Sequence, residues 1–127
     1  MIRLSLIALD GLYSVCRLPH GGAPPEPDAA WPFYSLTRTR EEISFICPTP
    51  CVPPGAQAEH GWSCLRVEGT LAFAEVGILA SLLSPLAEGG IPVFVVSTFD
   101  TDYLMIKEAH LGPAVRALRE AGHRVTA

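Results

Sequence analysis

Lysine is almost absent from this 127-residue chain: Lys107 stands beside eight arginines, and thirteen carboxylates leave a net charge of −4. The basic residues are scattered, so the chain lacks the electrostatic footprint of a DNA or RNA binder, and nucleic-acid partners are excluded. Also missing is any apolar run near the roughly 20 residues that span a bilayer. The opening MIRLSLIALD carries one arginine and a brief apolar run that Asp10 interrupts short of a signal-peptide core. The expectation is a cytoplasmic protein with no membrane partner. Four cysteines raise the question of a disulfide framework, but Cys16 and Cys64 fall in strand-like runs with no secretory signal ahead of them, so reduced thiols are expected. C-P-T-P-C at 47–51, with His60 nearby, lacks the second ligand pair of a structural zinc site. No metal or cofactor is expected.

What is present is a fold-forming composition, with 49% of residues apolar. LYSVCRL (12–18), FYSLTRT (33–39) and ISFIC (43–47) read as strands, the second with a period of two. Proline and glycine make 20–32 a loop, and the four prolines in PTPCVPPGAQAEHG make that segment a linker. SCLRVEGTLAF (63–73) is the next strand. EVGILASLLSPLAEGG then sets Val76, Leu79, Leu82, Leu83 and Leu86 on one helical face, with Glu75 at its start, Gly89-Gly90 at its end and Pro85 predicting a bend inside. IPVFVVST and DYLMIKE are strands around a short turn. HLGPAVRALREAG is a second helix, and His123-Arg124-Val125 a short last strand. The second half therefore reads β-α-β-β-α-β, the ferredoxin-like split unit.

A faint repeat extends this reading to the first half. FYSLTRTREEISFICP (33–48) lies sixty positions before VFVVSTFDTDYLMIKE (93–108), setting Thr37 against Ser97 and Glu42 against Asp102, whereas Cys16-Arg17-Leu18 and Leu65-Arg66-Val67 are forty-nine apart. The deficit of eleven residues is about one three-turn helix. The expected fold is α+β, with two ferredoxin-like halves: 63–127 is complete, and 1–62 has lost its first helix into the 20–32 loop.

Gly77-Ile78-Leu79-Ala80 through Leu86-Ala87-Glu88-Gly89-Gly90-Ile91 resembles the first helix of an ACT domain, a small regulatory module that binds amino acids. Val96-Ser97-Thr98-Phe99-Asp100-Thr101-Asp102-Tyr103 is similar to the branch of that family holding small tandem-ACT bacterial proteins and eukaryotic cytosolic arginine sensors. The resemblance covers about 63–125 closely and 12–48 more loosely. It implies a non-catalytic sensor that binds an amino acid or similar small ligand at Glu75, Val76, Gly77, Ile78, Ser97, Thr98, Phe99, Asp100 and Asp102. It also fits a homodimer that signals through a protein partner.

The chemistry of the residues suits such a pocket. A helix start at 75–78 offers unpaired backbone N–H groups to a carboxylate, and Gly77 allows close approach. Asp102, and with it Asp100, can hold an ammonium or guanidinium. Glu75 fits only if its side chain points away from the amides. Phe99 is either a lid or part of a subunit contact. The alternative for Ser97, Thr98, Asp100 and Asp102 is ordinary turn chemistry. At the level of the whole protein, one alternative is a ligand-free assembly module, since a half without its helix has a sheet face to cover. Another is a thiol enzyme using Cys47 or Cys51 with His60, oriented by Glu59.

Overall fold

The structure, a computed structural model, describes residues 2–72 and 74–127. The chain divides into two compact units, one formed by Met1–Leu9 with Ser63–Ala127, the other by Asp10–Trp62 inserted between them. One edge of this division falls between Trp62 and Ser63. At the other edge the first nine residues belong with the C-terminal unit rather than with 10–62.

The reason is strand pairing. Strand β1 (Ser5–Ala8) runs antiparallel to β5 (Gln57–Val67), with Leu6 opposite Val67, and parallel to β8 (Arg124–Thr126), with Leu6 opposite Val125. Between β5 and β8 the chain forms helix α1 (Ile78–Glu88), the hairpin β6 (Phe94–Ser97) and β7 (Asp102–Lys107), and helix α2 (Glu108–Glu120). The sheet order in this larger unit is β6-β7-β5-β1-β8. The β-α-β-β-α-β sequence is thus present, but its first and last strands are separated by β1.

Both helices lie against the core because their apolar residues recur at helical spacing. Leu82 and Leu86 of α1, and Ala114, Val115 and Leu118 of α2, pack with Leu6, Leu65, Val67, Leu104, Ile106 and Val125. Burying a leucine in this way contributes roughly 1.5–3 kcal/mol. The α1 helix continues through Pro85 to Glu88 and ends where Gly90, at φ +69, turns the chain. Arg119 ties the last turn of α2 to β8 by donating from its guanidinium to the Val125 carbonyl at 2.7 Å. The strand expected over 63–73 ends at Val67. Its last residue, Phe73, lies outside the described residues, as does Met1.

The smaller unit carries β2 (Tyr13–Leu18), β3 (Ser35–Arg38), β4 (Ile43–Pro48) and the beginning of β5, in the order β3-β4-β2-β5. No described residue between 20 and 32 is helical. The position of a second helix is also reduced, to a single 3-10 turn at Thr49–Cys51, since the prolines on either side deny it donors. Loops replace the missing helices as cover. Trp31 and Tyr34, whose rings are 5.6 Å apart, and Cys51, Val52 and Ala56 pack onto Cys16, Leu18, Ile43, Phe45 and Cys47. Tyr34 fixes the proline-rich loop by donating its hydroxyl to the Pro25 carbonyl at 3.1 Å. The segment read as a linker is only partly one: β5 begins at Gln57, and Gly61 at φ +82 lets the strand turn where its register against β2 shifts.

The two hairpins share their turn chemistry. Thr39 donates its N–H to the Glu42 carbonyl at 3.0 Å, and Thr98 does the same to Thr101 at 2.8 Å. Arg38 opposite Ile43 closes one hairpin and Ser97 opposite Asp102 the other. The correspondence is therefore fifty-nine residues rather than sixty, which places Ile43 where Asp102 stands and Arg38 where Ser97 stands.

Candidate functional site

Gly77 is the N-cap of α1 at φ +83, a left-handed conformation that costs an L-residue about 1–2 kcal/mol. No side chain caps the helix, so the first amides have no partner within it. The helix begins at Ile78, three residues later than the expected start. The shift moves Glu75 out of the helix: its Oε1 accepts the Ala72 N–H at 3.1 Å while its own N–H returns to the Ala72 carbonyl. The carboxylate is thereby turned onto the segment that precedes the helix.

Across from this helix start stands the β6–β7 turn. Thr98 and Thr101 hold it, the Thr98 hydroxyl donating to the Thr101 carbonyl and accepting the Thr101 N–H. Thr101, 6% exposed, donates its own hydroxyl to the Val67 carbonyl at 2.7 Å and so pins the turn to β5. The Asp100 carbonyl accepts the Leu71 N–H at 2.7 Å. Asp102, on β7, receives the Ser97 hydroxyl on Oδ1 at 2.5 Å.

Helix start and turn enclose a cavity of about 360 Å³, within the range of small-molecule sites. Glu75, Gly77, Ile78, Ser97, Thr98, Phe99, Asp100 and Asp102 all line it, along with Leu71, Ala72, Leu79, Ala80 and Thr101. Val76 does not line it, being 89% exposed. Phe99 is 79% exposed at the rim. Thr101 was read from sequence only as part of the turn. A threonine between two aspartates signals nothing more unless its strand neighbour is known. The lining holds three carboxylates and no lysine or arginine, so its field favours a cation.

The thiols stand elsewhere, and three of the four are buried. Cys47 lies in β4 rather than in a loop, fully buried, and burial, with the Cys16 thiol beside it, pushes its pKa up to about 12. Burial likewise raises Cys64 to about 12. Glu59 and His60 are in β5, and His60 Nδ1 lies 2.7 Å from Ser14 Oγ. A thiolate at Cys47 is disfavoured at neutral pH, which removes the first of the two nucleophiles considered. All four cysteines are free, and among the described residues no group of three or more His, Cys, Asp or Glu is placed to hold a metal. No helix among them is long and apolar enough to cross a membrane.

These thiols predict an alkaline limit. Unfolded thiols titrate near 9 and the folded pair near 12, so the unfolded chain binds fewer protons in between. Their contribution to stability is complete below pH 9 and is lost as pH rises toward 12, at about 1.4 kcal/mol per unit for each thiol. Urea midpoints measured at pH 8 and 10.5 should fall at the higher pH, with a smaller fall in Cys64→Ala.

Comparison with known proteins agrees with this architecture. Residues 57–120, slightly over half the chain, match the ACT domain family. The cytosolic arginine sensor for mTORC1 subunit 1 of Pongo abelii is 34% identical over 121 residues, covering 87% of this chain and 36% of the sensor. The chain thus spans about a third of the length of that relative. A protein of Agrobacterium tumefaciens with a known crystal structure is 37% identical, with a TM-score of 0.89 over 99% of this chain and 94% of that one. The aspartate kinase of Clostridium acetobutylicum shares the fold at 11% identity, with a TM-score of 0.61 over 86% of this chain and 32% of its own. On its sequence match and its β-α-β-β-α-β unit, this chain belongs to the ACT domain family.

Proposed function

We propose that the chain is a non-catalytic regulatory module that binds one free amino acid between the start of α1 and the β6–β7 turn. The observation that carries this reading is the pairing of opposite ends in one cavity: uncapped helix amides at Ile78–Ala80 and the Asp102 carboxylate. The amides suit an α-carboxylate, and Asp102, with Ser97 fixing its orientation, suits a cationic group. Glu75, turned onto Ala72, leaves the amides accessible to an anion. The surplus of carboxylates in the lining favours a ligand with a second positive charge, and arginine, named for the related sensors, is the first to test.

The stoichiometry is one site per chain. In the smaller unit the position of Asp102 is taken by Ile43, buried at 2% exposure, so the matching hairpin has no carboxylate at that position. A module of this kind acts by presenting a ligand-dependent surface, here as a homodimer and to a cytoplasmic protein partner. A thermal-denaturation screen against the twenty amino acids checks the reading. The binding amino acid, at a hundred times its Kd, should stabilise the fold by about 2.7 kcal/mol. A flat screen would leave the chain as an assembly module.

A further inference from the structure

We infer that His123 positions the ligand-facing turn of α1 by supplying the hydrogen bond that Pro85 removes. In an α-helix the carbonyl of residue 81 accepts from the N–H of residue 85, and proline has none. The Ser81 carbonyl is therefore orphaned by the sequence of its own helix. His123, buried at 5% exposure between α2 and β8, places Nε2 at 3.0 Å from that carbonyl. Its Nδ1 receives the Leu4 N–H at 3.1 Å, so Nδ1 is the bare nitrogen and Nε2 carries the proton that Ser81 accepts. The backbone on either side of the ring thus selects the tautomer.

The consequence reaches the cavity through Ser81. Its N–H donates to the Gly77 carbonyl at 3.0 Å and its hydroxyl to the Ile78 carbonyl at 2.6 Å, so Ser81 closes the turn that displays the cavity-lining amides. Leu4, His123, Ser81 and Gly77 form one run of hydrogen bonds from the residue before β1 to the site. The elements that hold the ring are fixed in turn by Arg124 N–H donating to the Leu4 carbonyl at 2.8 Å and His123 N–H donating to the Leu118 carbonyl at 3.0 Å. His123 touches no ligand in this arrangement. Its effect on binding rests on the reading proposed above, but its effect on the helix start does not.

Three variants test the inference. In His123→Asn the amide can stand in for Nδ1 but cannot reach Ser81. His123→Gln can place its amide nitrogen where Nε2 was. His123→Asn with Pro85→Ala returns a backbone N–H to the Ser81 carbonyl. Amide hydrogen exchange at residues 81–83 in the ligand-free protein should speed up about tenfold in His123→Asn, and stay within about twofold of wild type in His123→Gln and in the double variant. Affinity for L-arginine, measured by calorimetry, should follow the same order, falling roughly five- to tenfold in His123→Asn and recovering in the other two. Unchanged exchange in His123→Asn, or exchange that stays fast when Pro85 is replaced, overturns the inference. Should arginine not bind wild type at all, the ligand assignment falls while the exchange data still decide the role of His123.

Discussion

Asp102→Ala should bind the amino acid ten- to hundredfold more weakly while melting, without ligand, within about 1 kcal/mol of wild type. A charge-assisted hydrogen bond to an ammonium or guanidinium is worth roughly 1.5–3 kcal/mol, and that is what the substitution removes from the complex. From the ligand-free protein it removes only the acceptor of the Ser97 hydroxyl, a contact on the exposed side of the hairpin where water can replace it. The turn does not depend on Asp102. Thr98 and Thr101 close it with three hydrogen bonds of their own, and Thr101 anchors it to the Val67 carbonyl. If the carboxylate served only the turn, the order would reverse. The ligand-free variant would melt lower and affinity would be intact. Calorimetric affinity and a denaturation curve on the same two proteins distinguish the outcomes.

Leu82→Ala is the substitution expected to cost the most stability, about 2–5 kcal/mol. Leu82 is fully buried on the inner face of α1, one turn before Leu86, within the core that both helices share with β1, β5 and β7. Removing three carbons there leaves a space that the surrounding strands close only in part. The loss should appear as a lower urea midpoint with little change in slope. Val76→Ala is the matching control. Val76 is 89% exposed and does not line the cavity, so neither stability nor ligand response should move by more than about 0.5 kcal/mol.

The elements legible in the sequence were those whose signal is local. The apolar spacing of Leu82 and Leu86, the alternation in β3 and the glycine after α1 each declare their structure within a few residues. Eight of the nine residues singled out for the site are brought to one cavity, because they lie on a helix start and a hairpin that such patterns locate. What stayed hidden was non-local. Ser5–Ala8 is too short to stand out, and its place between β5 and β8 depends on partners more than fifty residues away. Glycine at position 77 suggested close approach by a ligand, yet only its left-handed φ shows that the helix begins one residue later and that Glu75 is free to turn onto Ala72. The repeat was offset by one because matching side-chain types in 33–48 and 93–108 fixes a strand pairing less well than the hydrogen bonds of Thr39 and Thr98 do. His123 illustrates the same limit. In the sequence it reads only as the start of a short last strand, and its bond to Ser81 answers a proline thirty-eight residues earlier in the chain.

The central claim is that an amino acid bridges the start of α1 and the β6–β7 turn. Backbone amide chemical shifts followed by NMR during titration with the amino acid that stabilises the protein test it most directly. The largest changes are predicted at residues 77–80 and 97–102, saturating at one ligand per chain. Changes centred within 10–62, or a saturating ligand that leaves the amides of 77–80 unmoved, would contradict it.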